Sequence, residues 1–108
     1  MVFAITPSLA EQYGAIAYSP SSGARGYAYD YPSRRQAEQR ALQECRANGR
    51  GCQIAVWYVG ACGAVAAGSN GWGSAWGNSR QAAESRALRQ CSQYTNNCSV
   101  RTWSCTSR

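Results

Sequence analysis

The chain repeats itself. Ser33-Arg34-Arg35-Gln36-Ala37-Glu38-Gln39-Arg40-Ala41-Leu42-Gln43-Glu44-Cys45 returns as Ser79-Arg80-Gln81-Ala82-Ala83-Glu84-Ser85-Arg86-Ala87-Leu88-Arg89-Gln90-Cys91, displaced by 46 residues. Each copy reaches a second cysteine (Cys52, Cys98) and then a tryptophan (Trp57, Trp103) at matching distances. Upstream, Tyr13-Gly14-Ala15-Ile16-Ala17 is echoed by Cys62-Gly63-Ala64-Val65-Ala66. Units this short cannot build a core alone, so each must bury its apolar faces against its twin. The reading is a 1–12 tail or signal-peptide remnant and one domain over 13–108, made of repeats 13–59 and 62–105.

Local patterning gives the same element order in each copy. Tyr13–Tyr18 reads as a strand, the turn cluster Ser19-Pro20-Ser21-Ser22-Gly23 follows, and Gly26–Tyr31 is a second strand with alternating tyrosines. Pro32 stops it, Ser33 caps a helix with Gln36 placed for a capping box, and Asn48-Gly49 ends it. Gln53–Val59 is β-rich. The second copy gives strands Gly63–Ala67 and Trp72–Trp76, helix Arg80–Cys91 and strand Ser99–Cys105. At 100° per residue, Ala37, Ala41, Leu42 and Cys45 share one helix face, and Ala83, Ala87, Leu88 and Cys91 repeat that stripe. The expected fold is α+β: tandem ββαβ repeats with pseudo-two-fold symmetry, six mostly antiparallel strands in one sheet, and two helices on one face.

At 108 residues the core is small enough to need covalent help, and six cysteines are present. No histidine and no Cys-x-x-Cys occur, so a metal centre lacks its usual ligand pattern and no cofactor is expected. Of the fifteen pairings open to six cysteines, the repeat favours Cys45–Cys52 and Cys91–Cys98, leaving Cys62–Cys105. Eight-residue loops contribute about 2.5 kcal/mol each and the longer one about 4 on the chain-entropy account. Disulfides imply an oxidising compartment, periplasmic or secreted. Ser8-Leu9-Ala10 has the small-x-small spacing of a signal-peptidase site, without a basic n-region or full h-region before it. No stretch is long and apolar enough to span a bilayer.

Eleven arginines against five carboxylates give a net charge of +6, and lysine is absent. Such a balance favours an acidic protein or an anionic cell-envelope component as partner. The export features argue against nucleic acid.

Catalytic constellations are scarce. Without histidine, Ser–His–Asp and Cys–His schemes are impossible. Glu38 and Glu84 occupy equivalent helix positions and suggest a carboxylate pair for glycan hydrolysis. Arg34 and Arg80 stand four residues earlier, however, and an adjacent arginine favours the charged carboxylate over a proton donor. Structural Arg34–Glu38 and Arg80–Glu84 ion pairs are the stronger expectation. The aromatic residues are the better binding candidates. Trp57 and Trp103 are expected to point away from the helices. Tyr27, Tyr29 and Tyr31 should share one face of their strand, and Trp72 and Trp76 one face of theirs. Together with Arg101 they would make an aromatic platform suited to a protein or sugar partner; packing of the rings into a second small core is the competing reading.

The two Ser-Arg-x-x-Ala-Glu-x-x-Ala-Leu-x-x-Cys helices, Tyr13-Gly14-Ala15-Ile16-Ala17-Tyr18-Ser19, Ala61-Cys62-Gly63-Ala64-Val65-Ala66 and Trp103-x-Cys105 resemble the bacterial domain of unknown function 4189 family, over Tyr13 to Cys105. The resemblance implies a small, exported, cysteine-rich protein with an effector or immunity-type role, and supplies no catalytic residues. The expectation is a non-enzymatic exported binding module, an immunity or inhibitor protein that binds a partner protein. The alternatives are a secreted effector acting on host or competitor cells, and a small cell-wall glycan hydrolase.

Overall fold

A computed structural model of the chain describes residues 12–107. The sequence-predicted tail and its signal-peptidase-like triplet lie outside the described residues, apart from Gln12. The elements are β1 (Tyr13–Tyr18), β2 (Arg25–Tyr31), α1 (Arg34–Asn48), β3 (Gln53–Val59), β4 (Cys62–Ala67), β5 (Trp72–Gly77), α2 (Arg80–Ser92) and β6 (Ser99–Cys105). The tandem ββαβ order, six antiparallel strands, two helices and three disulfides are all present.

The strands form two three-stranded sheets, ordered β2-β1-β3 and β5-β4-β6, and not one continuous sheet. Each repeat folds back on its own central strand, and the two sheets then meet face to face. In β1, Ala15 and Ala17 pack with Ala37, Ala41 and Cys45 of α1. The alternate residues Ile16 and Tyr18 join Tyr58, Val65 and Ala67 in a cluster between the sheets. In β4, Ala64 and Ala66 pack with Ala83, Ala87 and Cys91 of α2. Strand periodicity therefore divides each central strand between two cores, and both central strands are buried on both faces. The layers run α1, first sheet, second sheet, α2, so each helix covers the outer face of its own sheet.

Small residues set how closely these layers approach. A methyl group added at Gly26 or Gly73 would collide with the helix backbone at Cys45 or Cys91. At the centre, the Tyr58 ring lies between the backbones of Gly14 and Gly63, one from each sheet. The residue equivalent to Tyr58 in the second copy is Ser104, also buried. One large ring fills the space on the pseudo-two-fold axis, which leaves room only for a small partner opposite. Here the symmetry of the sequence is broken for a packing reason.

Each helix starts at a serine cap: the Ser33 side chain accepts from the Gln36 amide at 3.2 Å, and Ser79 from the Ala82 amide at 3.1 Å. Each carries a half-cystine in its last turn, with Cys45 bonded to Cys52 and Cys91 to Cys98. These bridges tie the end of each helix to the approach of the following strand. Cys62 and Cys105 are directly opposed on β4 and β6 and form the third bridge. No described cysteine is free.

Candidate functional site

Two β-bulges decide where the aromatic residues point. In β3, Val56 pairs with Ile16 and Ile54 with Ala17, so Ala55 is an extra residue. In β6, Thr102 pairs with Val65 and Val100 with Ala66, so Arg101 is the extra residue, at the equivalent position. Each bulge reverses the strand's alternation. Ile54 joins the core beneath α1, whereas Val56 faces the opposing sheet. Trp57 then stands opposite Ala15, and Trp103 opposite Ala64, on the helix side of each sheet. The expectation that Trp57 and Trp103 turn away from the helices is thus corrected, because a regular alternation was counted through a bulge.

On that side each indole meets the first turn of its helix. The Arg34 guanidinium lies 4.4 Å from the centre of the Trp57 ring, and Arg80 lies 3.9 Å from that of Trp103. Glu38 and Glu84 hold those arginines at 3.0 and 3.1 Å. Each Glu–Arg–Trp ladder is a cation–π contact steadied by an i,i+4 ion pair. The cation site on each indole is filled from within the chain. The helices lie on opposite outer faces, so the two glutamates are separated by both sheets. At about 10 Å per layer they stand far beyond the ~5–9.5 Å that two-carboxylate glycoside hydrolysis requires.

A third irregularity moves Tyr31. Two β2 residues, Tyr29 and Asp30, oppose the one β1 residue Gly14 between the Tyr13–Tyr31 and Ala15–Ala28 pairs, and Asp30 takes a positive φ of 63°. Tyr27 and Tyr29 remain on the inter-sheet side, their rings 6.3 Å apart and nearly parallel. Tyr31 crosses to the helix side and packs with Tyr13 against the α1 core. Tyr27, Tyr29 and Tyr31 therefore do not share one face. Trp72 and Trp76 do share theirs, opposite Ala67 and Gly63. That face is covered by the other sheet. Trp72 packs into the inter-sheet core beside Tyr18, their rings 5.7 Å apart, while Trp76 at the edge stays 52% exposed. The broad open platform is replaced by an inner core and two aromatic margins.

The margins differ. At the first, β2 lies along β6 and polar ties close the seam. Arg25 donates to the Arg101 carbonyl, and the Ser107 amide and hydroxyl donate to the Asp30 carboxylate. Tyr27, Tyr29, Trp103, Ser104 and Cys105 line a recess of about 470 Å³ there. Arg101 itself donates to the Ala67 carbonyl at 3.3 Å. At the second margin, β3 lies along β5, and Ser74 Oγ donates across the seam to the Ala55 carbonyl at 2.7 Å. Ala55–Val59 and Ser74–Trp76 line an apolar recess of about 570 Å³. Arg34 stands over Trp57 on one lip, and Arg86 donates to the Trp76 carbonyl at 3.0 Å on the other.

Behind this recess the Tyr58 hydroxyl is buried, and burial pushes its pKa up to about 12. Ser104 beside it pulls the other way, although neither hydroxyl makes a hydrogen bond of good geometry. Among the described residues, no three His, Cys, Asp or Glu side chains converge on a point that could hold a metal. No described helix is long and apolar enough to cross a membrane.

The architecture is that of a disulfide-bolted pair of ββαβ units packed sheet to sheet. The Domain of unknown function (DUF4189) family profile matches residues 13–105, and the chain belongs to that family. The NMR structure of Rv1813c from Mycobacterium tuberculosis superposes with a TM-score of 0.62 at 35% identity, covering 94% of this chain and 79% of that one. Protein Rv1269c of M. tuberculosis (strain H37Rv) and Protein Mb1300c of Mycobacterium bovis are each 45% identical over 58 residues, or 54% of this chain. The match spans 44% of the length of those two relatives.

Proposed function

We propose that the protein is a non-enzymatic binding module acting outside the reducing cytosol, where it caps an acidic protein in an inhibitor or immunity-type role. One observation carries this reading: a rigid frame exposes large apolar side chains along its sheet margins. Tyr27, Tyr29, Trp57, Val59, Trp76 and Trp103 are each between 38% and 52% exposed. Aromatic residues beside arginine are the side chains that dominate protein interfaces. Three disulfides pre-organise the surface, which lowers the entropy lost on docking. A net charge of +6 favours an acidic partner and speeds encounter with it. The oxidised state of the six cysteines supports a periplasmic or secreted location. The separation of Glu38 from Glu84, each committed to its own arginine, supports binding over glycan hydrolysis.

Affinity capture with the oxidised protein from the envelope and secreted fractions of the source cells tests this, followed by reconstitution from purified components. The expected result is a stoichiometric complex with one acidic protein, weakened by salt. Failure of any captured protein to re-form a complex when purified would contradict the proposal.

A further inference from the structure

Sheet edges attract other strands, and proteins suppress this with charges, bulges and side-chain caps. Three of the four edges here are suppressed in that way. Along β2, the Tyr27 amide donates to Glu44 of α1, Asn48 caps the Arg25 carbonyl, and Asp30 introduces both a charge and a bulge. Along β5, the Ser74 amide donates to Gln90 of α2 at 2.6 Å and Arg86 caps the Trp76 carbonyl. Glu44 and Gln90 are equivalent in the repeat, so one device protects both strands. Strand β6 carries Arg101 at its bulge, with that residue's carbonyl held by Arg25.

Strand β3 shares with β6 a bulge, at Ala55, but differs from the other edges in composition. Its sequence, Gln53-Ile54-Ala55-Val56-Trp57-Tyr58-Val59, holds no charge, proline or glycine. The Ala55 carbonyl is capped by Ser74, and beyond it, among the described residues, no hydrogen bond from outside the β1 ladder reaches Val56–Val59. The apolar recess against β5 opens beside this same stretch.

We propose that the β3 edge takes an extended, apolar segment of a partner protein, flanked by acidic residues, as an added strand. Backbone pairing to Val56–Val59 would supply affinity, and alternate side chains of the guest would enter the β3–β5 recess. Charge selects the occupant. Arg86 borders the recess together with Arg34, the latter already paired with Glu38, and a second copy of this chain would bring the same +6 against them. An acidic flank meets them favourably. The proposal rests on the reading of the protein as a binding module, and names the surface and the form of its partner.

Selection of random twelve-residue peptides against the oxidised protein, followed by NMR titration of the synthetic consensus, tests it. The expected consensus alternates apolar residues between Asp or Glu flanks. It shifts the amides of Val56–Val59, slows their hydrogen exchange, and binds at least tenfold more weakly to Val59→Arg and to Trp76→Ser. Both positions are about half exposed, so the folded spectrum of each variant should persist. Exchanging the acidic flanks for lysine should also cost about tenfold. Peptides that shift the Tyr27–Tyr29–Trp103 margin and leave β3 unmoved would overturn the β3 assignment while leaving the binding-module reading intact. Absence of selected peptides alongside a captured partner has that same meaning, and absence of both overturns the two readings together. Shifts at Val56–Val59 that grow with protein concentration alone would identify a second copy as the occupant and refute the acidic-strand proposal.

Discussion

Tyr58 shows most plainly how single residues hold this molecule together. Its ring is needed between Gly14 and Gly63, but its hydroxyl is buried without a well-formed hydrogen bond. Tyr58→Phe should therefore leave stability at neutral pH unchanged or raise it by up to about 1 kcal/mol, as read by urea unfolding. The alkaline limb should differ more. The folded hydroxyl keeps its proton to about pH 12, whereas the unfolded one releases it near 10.0, so above pH 10 the unfolded state binds fewer protons. The Tyr58 contribution to wild-type stability should be constant below pH 10 and fall by about 3 kcal/mol on passing to pH 12, a loss the Phe variant escapes. Equal alkaline slopes in the two proteins would show that another group is responsible. The ladders at Trp57 and Trp103 permit a second comparison. Glu84→Gln should cost under about 1 kcal/mol, because the arginine it orients is half exposed.

At the scale of elements, much was legible in the sequence. Helix starts were visible because serine capping is a local chemical signature, and Ser33→Ala or Ser79→Ala should each cost about 1 kcal/mol in thermal unfolding. Near-equal losses are expected, since the two caps are equivalent. The buried alanine stripe also followed from period alone, with Ala37, Ala41, Ala83 and Ala87 fully buried. The bulges were not legible. An extra residue at Ala55, at Arg101 or near Asp30 leaves the composition of a strand unchanged while reversing every side chain beyond it. That is why regular alternation puts Tyr31, Trp57 and Trp103 on the wrong faces. One clue was available: each tryptophan recurs at the same distance from an arginine in the first turn of its helix, Arg34 or Arg80. The edge caps by Glu44 and Gln90 were equally hidden, being tertiary contacts from helix to strand.

For the whole molecule, the repeat required two halves to share a core but did not specify how they meet. Alternation along β1 and β4 is compatible with one sheet or two, since both central strands are apolar on both faces. The face-to-face solution leaves four strand edges exposed to the surroundings, and the chain protects three of them. Stability at this scale depends on the three bridges. Complete reduction should lower the melting temperature by at least about 10 °C, judged from about 2.5–4 kcal/mol per bridge and about 4–8 °C per kcal/mol in a domain of this size. A melt unchanged by reduction would remove the bridges from the folding account. The arrangement of the halves has its most direct test in the nuclear Overhauser contacts of the Tyr58 ring. Two stacked sheets require strong contacts from that ring to the α-protons of both Gly14 and Gly63, each shifted upfield by the aromatic ring. Contact with Gly14 alone, leaving Gly63 unshifted, would contradict the face-to-face packing.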